Sequence, residues 1–284
     1  MQLKIEKTIK RLIDQALAED DVRRDITTRT LLPQTQRAEA YIVVKEPAVL
    51  CGLAIAQAVF KRLDKHISFR SLYTDGAKVK PLTRVAILKG NTRSLLAGER
   101  TALNFLGHLC GIATLAHAFV QKTKGTEAKI LDTRKTLPGL RILQKHAVRC
   151  GGGMNHRFNL NEAALIKDNH LALLGKKFSY GNAVSRLRNK AKKIIFEVQN
   201  LRQLPDALAA QPDVILLDNM TFAQIRKAVA IRNRLNKQVR LEVSGGIHLK
   251  NVRQIAQSGV DRISIGALTH SAPNIDLSME IITK

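Results

Sequence analysis

Residues 131–170 read LDTRKTLPGLRILQKHAVRCGGGMNHRFNLNEAALIKDNH, and the rest of the chain is best understood outward from them. From Thr133 to Asn161 there are six Lys/Arg and two histidines and not one carboxylate. A solvated helix face mixes both signs, because interspersed opposite charges attract weakly and like charges repel. A one-signed run beside glycines is instead a place to receive an anion. The layout agrees. Lys129–Leu131 is a short β-prone run ending at Asp132, and Thr133, Arg134 and Lys135 follow it before Pro138-Gly139 opens a helix. Ala163–Ile166 repeats the arrangement, with Lys167, Asp168, Asn169 and His170 behind it. In parallel α/β folds the loops at the carboxyl ends of strands converge on one crevice. Between these two loops, Gly151-Gly152-Gly153 lets the backbone turn or approach a ligand closely, and Asn155-His156-Arg157 adds three hydrogen-bonding side chains.

Downstream, the strand–loop–helix pattern recurs, with strands expected at 129–131, 163–166, 193–196, 213–217, 239–243 and 261–265. That is a βα barrel in outline, over residues 109–272. The residues at or just past the strand ends are Arg134 and Lys135, Lys167, Glu197, Asp218, Ser244 with Gly245-Gly246, and Gly266. Upstream, helical spacing over 3–19 (Ile5, Ile9, Leu12, Ile13, Ala16, Leu17) precedes a cap or turn at Asp25–Thr28. A half-buried strand is expected over 36–45, a helix over 52–63, and strands over 67–72 and 84–88. Strands segregated from helices predict an α+β amino-terminal domain, residues 1–108. A long helical run over 92–120, loosened by Gly98, Gly107 and Gly111, forms the junction.

Single surface charges are the ordinary fate of Lys and Arg. Arg134, Lys135, Arg157 and Lys167, clustered at two strand ends around a triple glycine, read as anion ligands instead. His156 alone would read as a core histidine, but beside Arg157 an anion or proton role is favoured. Thr221 and Gln224 already supply a capping box for the following helix, which leaves Asp218 free for a metal. Ser244-Gly245-Gly246 and Gly266 fall on the last two strands, where barrels bind phosphate through backbone amides. His270 stands beside that loop. GxSxG, GxGxxG, HExxH, paired CxxC and a P-loop are all absent, and Cys150 reads as a small packing residue.

The wording DTRKTLPGLR, GGGMNHR and LIKDNH, continued through EVQN (197–200), LLDNM (216–220), LEVSGGI (241–247) and GVDRISIGALTHS (259–271), resembles the nicotinate-nucleotide pyrophosphorylases, also called quinolinate phosphoribosyltransferases. Upstream, DITT (25–28) and ERTALNFLGHLCGIAT (99–114) extend the resemblance over nearly the whole chain. It implies an α/β protein, an incomplete α/β barrel beside an α/β sandwich domain, with residues 273–284 returning to the first domain. It also implies transfer of phosphoribosyl from phosphoribosyl pyrophosphate to quinolinate with decarboxylation, giving nicotinate mononucleotide, pyrophosphate and CO2. Arg134, His156, Arg157 and Lys167 would bind the dicarboxylate, and Lys135 and Lys167 the phosphates. Glu197 and Asp218 would hold magnesium or the ribose. Arg100 would reach the site of a neighbouring subunit in a homodimer or a hexamer. The family's usual EVEVEN stands here as Ile195-Phe196-Glu197-Val198-Gln199-Asn200, with one carboxylate. NHRFNLNE (155–162) replaces the usual NHR followed by Gly-Leu. A sister group linked to molybdenum transport shares several motifs and is the alternative within enzymes.

The formal charge of +24 raises nucleic acid as a partner, and a basic binding protein is the alternative outside enzymes. Much of the excess lies in Lys176–Lys193 and Thr221–Leu241, with seven and six Lys/Arg and no acid. Both read as solvated outer helices, with Arg226, Lys227, Arg232 and Arg234 sent away from Phe222, Ile225, Val229 and Leu235. Aromatic residues are only 4%, too few for stacking platforms, so no specific nucleic acid is expected. No apolar run of about 18 residues stands out in the sequence, and no signal peptide is expected, so neither a membrane nor export is anticipated and the cytoplasm is the expected compartment. Cys51, Cys110 and Cys150 are then expected as reduced thiols.

Overall fold

In the computed structural model, residues 5–175 and 178–282 are described. By contacts the chain parts into one unit of 1–117, 137–152 and 271–284 and another of 118–136 and 153–270. The division expected from the sequence is 1–108 with the return of 273–284, and 109–272; by contacts, 271–284 does group with the amino-terminal residues and so does 137–152.

In the first unit, α1 (Lys7–Glu19) buries Ile9, Ile13 and Leu17 at i, i+4, i+8. Residues 3 and 4 of the expected helix lie outside the described residues. Asp25 caps α2 (Ile26–Leu31), its Oδ1 accepting from Thr28 N at 2.9 Å. Strands β1 (Arg37–Val44), β2 (Ala48–Val49), β3 (Ser68–Ser71), β4 (Lys78–Val79) and β5 (Thr83–Asn91) accompany α3 (Leu53–Leu63), α4 (Thr92–Lys122) and α5 (Arg141–Cys150). The carboxyl-terminal strand β12 (Leu277–Ile282) pairs antiparallel with β1, Ile42 opposite Met279 and Val44 opposite Leu277, giving the sheet order β12-β1-β5-β3. Residues 283 and 284 lie outside the described residues.

Helix α4 corrects one reading. Its 31 residues are long and apolar enough, by length and composition, to cross a membrane, but 56% of the most apolar stretch is buried inside the protein. Leu95, Ala102, Leu106, Leu109, Ile112 and Ala113 are buried, so α4 is built as a core helix. It reaches close quarters through small residues: a Cβ on Gly111 would lie 1.9 Å from Pro273 O.

The second unit is a parallel sheet of β6 (Lys129–Leu131), β7 (Ala164–Ile166), β8 (Ile194–Val198), β9 (Val214–Asp218), β10 (Arg240–Ser244) and β11 (Arg262–Ser264). The order β6-β11-β10-β9-β8-β7 leaves β6 and β7 as edges among the described residues, with an isolated bridge from Leu131 to Met154. The barrel is thus incomplete. Helices α6 (Asp168–Leu174), α7 (Tyr180–Arg188), α8 (Leu204–Ala209), α9 (Phe222–Leu235), α10 (Val252–Ala256) and α11 (Ala267–His270) intervene. Strands buried on both faces need apolar residues on both, and β8 is IIFEV with every residue buried.

Helix α9 corrects a second reading. Arg232 is buried, 2.8 Å from Asp261 Oδ2, and donates to the carbonyls of Val239 and Gly259, while Leu235 is half exposed. Arg226 and Lys227 are exposed as expected, but Arg232 ties α9 to the turn before β11 rather than facing water. In the other basic stretch, Lys176 and Lys177 lie outside the described residues and Arg188 pairs with Asp213 at 3.0 Å. The helix expected to open at Pro138-Gly139 begins at Arg141.

Candidate active site

Strand periodicity explains which side chains meet. Successive residues point to opposite faces, and registers align Ile195 with Val214, Glu197 with Leu216, Leu216 with Glu242, Asp218 with Ser244, and Ser244 with Ser264. One face therefore carries Leu165, Ile195, Val214 and Leu216 in an apolar layer. Two residues further along each strand come Lys167, Glu197, Asp218, Ser244 and Ser264. On β7, β8 and β9 the change from apolar to polar falls at the carboxyl ends, while on β10 and β11 the same face already carries the buried Glu242 and Arg262, and a cavity of about 500 Å³ opens at those ends.

The cavity is lined by Arg134, Lys135, His156, Arg157 and Lys167, by Glu197 and Asp218, and by Ser244-Gly245-Gly246. These were singled out in the sequence and the fold brings them together. Gly266 and His270 stand next to it through Lys135. A Cβ at Gly266 would lie 3.0 Å from His270 Nε2 and 3.1 Å from Lys135 Cδ. Thr269 Oγ1 donates to Lys135 O at 2.7 Å, which fixes the loop that carries Arg134 and Lys135. Arg100 belongs to the other unit, as an exposed residue of α4.

Electrostatics distinguish the carboxylates. Lys167 Nζ lies 3.5 Å from Glu197 Oε2. Burial pushes the Glu197 carboxyl above its ordinary value, Lys167 draws it back, and Asp218 and Asp168 push it up further. Arg157 donates to Ala163 O at 2.8 Å and is held below its ordinary value by burial, with Arg134 adding like charge. Arg134 Nε is buried with no hydrogen-bond partner among the described residues. A guanidinium in that position stands to gain from an acceptor supplied by a ligand.

His156 is held from three sides. Its N–H donates to Asp132 Oδ1 (2.8 Å), and its Nδ1 accepts from Arg157 N (2.8 Å), which puts the neutral ring's proton on Nε2, 3.2 Å from Glu242 Oε1. Glu242 in turn lies 2.7 Å from Arg262 Nε. Burial, the largest single influence on Glu242, raises its pKa, but His156, Arg262 and Ser264 together bring it below its ordinary value. His156 is thus both the satisfied core histidine and a cavity wall.

Sequence reasoning passed over Glu242, Asn219 and Ser264. A signal for Glu242 existed: two residues before Ser244 on the same strand, it must share Ser244's face. Asn219 carried no local signal. It adopts a left-handed φ of 52°, and Gly245 packs on it at φ 92°, where a Cβ would lie 2.0 Å from Asn219 Oδ1. Only glycine fits there.

Chemically the rim offers four fixed cations, two adjacent strand-end carboxylates and a glycine loop, a combination suited to a ligand that carries both carboxylate and phosphate groups. For a magnesium ion, Glu197 and Asp218 supply hard oxygen donors on neighbouring strands. The upward push that Asp218 exerts on Glu197 is repulsion a cation would relieve.

Comparison with known proteins agrees in extent as well as in motif. The family profile described as "Quinolinate phosphoribosyl transferase, N-terminal domain" matches residues 25–110, and that of the C-terminal domain matches 112–280. A Mycobacterium leprae protein named nicotinate-nucleotide pyrophosphorylase [carboxylating] is 42% identical over 261 residues, covering 90% of this chain and 91% of its own. A Synechocystis protein, a probable enzyme of the same name, is 41% identical over 273 residues, 95% of this chain and 91% of its own. The structure of the nicotinate-nucleotide pyrophosphorylase from Francisella tularensis superposes with a TM-score of 0.90 at 41% identity, covering 99% of this chain and 98% of that one. That of NadC from Streptococcus pyogenes gives 0.92 at 37% identity, covering 99% of each.

Proposed function

The chain belongs to the quinolinate phosphoribosyltransferase family, and from that premise we propose how its rim carries out the reaction. The protein is a pentosyltransferase of pyridine-nucleotide biosynthesis, converting quinolinate and phosphoribosyl pyrophosphate to nicotinate mononucleotide, pyrophosphate and CO2. One observation carries the assignment of roles: Arg134, Lys135, Arg157, Lys167, Glu197 and Asp218 line one cavity at the carboxyl ends of the parallel strands.

In our reading Arg134 and Arg157 bind the two carboxylates of quinolinate against the wall formed by His156, and this fixes the ring nitrogen toward the anomeric carbon of the sugar. The nitrogen forms its bond to that carbon as the bond to pyrophosphate breaks, and Lys135 and Lys167 neutralise the departing phosphates. Glu197 and Asp218 face the positive charge that develops on the ribose. Glu197 and Asp218 would hold a magnesium ion, which would supply positive charge to offset the negative charge of the leaving pyrophosphate. The glycosylated nitrogen is cationic. The electron pair left when the adjacent carboxylate departs as CO2 stays on the ring carbon, where the neighbouring positive nitrogen stabilises it, and that carbon then takes a proton from water. The glycine loop Ser244–Gly246, with Gly266 and His270, receives the 5′-phosphate through backbone amides.

Two finer assignments belong to the same reading. The protein works in the cytoplasm as a homodimer or an assembly of dimers, and Arg100 completes the quinolinate site of the partner copy. Its exposure on a helix whose other face is core leaves it available for this role.

The direct test is incubation with quinolinate, nicotinate or nicotinamide, each with phosphoribosyl pyrophosphate and magnesium, followed by product mass and CO2 release. Only quinolinate should give nicotinate mononucleotide with CO2. Equal turnover of nicotinate would overturn the substrate assignment.

A further inference from the structure

The amino-terminal unit gathers a second set of chemical groups that the transferase reading does not use. Cys51 follows β2, Asp75 occupies the turn before β4, and His146 and Cys150 are i and i+4 on α5, so both project from one face of that helix. Each offers one donor atom, and the four donors all lie within 4.8 Å of one another. His146 Nε2 is 3.2 Å from Asp75 Oδ2 and 3.4 Å from Cys150 Sγ. Cys51 is fully buried and His146 nearly so. No CxxC pair announces the cluster, because its ligands come from three separated segments.

We propose that Cys51, Asp75, His146 and Cys150 form a closed, four-coordinate structural site for a borderline-soft divalent cation, zinc in chemical class. Three features carry this.

The first is the convergence on one ring nitrogen. A cysteine nucleophile activated by a His–Asp pair needs the thiol at one imidazole nitrogen and the carboxylate at the other, so that the ring can pass a proton between them. Here thiol and carboxylate approach the same Nε2, and one proton there cannot serve both. A cation at the centre of the four donors can.

The second feature is spacing. Donors about 2.0–2.3 Å from a tetrahedral zinc stand about 3.3–3.8 Å apart. The distances of 3.2 Å and 3.4 Å already match that, and since no pair exceeds 4.8 Å the others need to close by at most about 1 Å.

The third feature is support behind the ligands. Asp75 Oδ1 accepts from Gly52 N at 3.0 Å and Leu53 N at 3.2 Å, which holds Oδ2 toward Nε2. The Cys51 N–H donates to Cys110 Sγ at 3.2 Å. Ligands oriented by such outer contacts are the usual construction of a metal site. Two sulfurs, an imidazole and one carboxylate suit zinc rather than magnesium, and four protein donors leave no open position for substrate. Binding displaces the thiol and imidazole protons and ties the loop after β2 and the turn before β4 to the end of α5, so it stabilises the fold.

The proposal stands independently of the transferase reading. Full-length protein is stripped with a chelator and titrated with zinc(II) or cobalt(II). We expect one zinc retained per chain through dialysis, a Tm that rises with zinc and falls on chelation, and a cobalt form with the intense visible d–d bands and thiolate charge transfer of tetrahedral coordination. Cys150→Ser and His146→Gln should each abolish stoichiometric retention. Glu197→Gln should keep it, which separates this site from the rim. Because a variant can fail to fold, the cobalt spectrum of the unaltered protein reports on the site by itself. Weak six-coordinate bands, substoichiometric zinc, retention unchanged in Cys150→Ser, or a Cys51–Cys150 disulfide in protein alkylated before purification would each overturn the proposal.

Discussion

Lys167 and Lys135 reach the same cavity by different routes, one as the residue two beyond Leu165 on its strand face, the other through a loop pinned by Thr269. If each neutralises a phosphate in the transition state, Lys167→Ala and Lys135→Ala should each cost about 3–4 kcal/mol, or roughly 10²–10³ in kcat/KM. Steady-state kinetics decide this, and a loss under about threefold would make that lysine peripheral. Two glutamates predict opposite effects on stability. Glu242 is ionised and partnered in the fold with its pKa lowered, so its contribution is present above the unfolded value and lost as the pH falls through the folded one. Glu242→Gln should therefore lower Tm at neutral pH and make the stability of the protein less sensitive to acid below about pH 4. Glu197 has its pKa raised by burial and by Asp218, so its charge opposes folding at neutral pH. Glu197→Gln should leave the ligand-free Tm unchanged or higher while activity falls. Thermal melts at several pH values, run beside the kinetic assay, test both halves.

Helices and strands were the most legible features. The helical spacing of α1, the alternation in β1 and the capping box of α9 follow from side-chain periodicity and local hydrogen bonding, which operate within a few residues. In α9, Thr221 and Gln224 pair reciprocally as their spacing suggests. What periodicity could not supply was the fate of Arg232, which depends on Asp261 arriving from a distant turn. Gly111 on α4 separates local from tertiary effects. By helix propensity alone, Gly111→Ala should gain about 1 kcal/mol. By packing, the new Cβ would lie 1.9 Å from the Pro273 carbonyl, a backbone atom that cannot rotate away. We expect packing to win, with a net loss of about 1–3 kcal/mol measured by denaturant unfolding. A stabilised variant would show that α4 and the 273–275 segment do not approach so closely.

For the whole molecule, the +24 charge divides among several uses. Some cations line the cavity, some are internal partners such as Arg232 and Arg262, and others lie on exposed helix faces. The proposal that Arg100 reaches a partner copy has a distinctive test. Arg100→Ala and Lys167→Ala homodimers should both be crippled. A mixed dimer would hold one site with wild-type Lys167 from one chain and wild-type Arg100 from the other. Mixing the two inactive variants under subunit exchange should therefore restore up to about half of wild-type activity per hybrid. Verified hybrids that stay inactive would place the action of Arg100 within its own chain.

By itself the sequence determined the α/β class, the strand ends, the glycine loop and most cavity-lining residues, because strand alternation and strand-end loops tie a residue's place in the chain to its place on the rim. The tertiary structure alone decided the burial of Glu242 between His156 and Arg262, the seating of Asn219 against Gly245, and the core role of the long apolar helix α4. It also decided the gathering of Cys51, Asp75, His146 and Cys150. Each of these brings together residues far apart in sequence, and their proximity depends on how sheets and helices pack rather than on any local pattern.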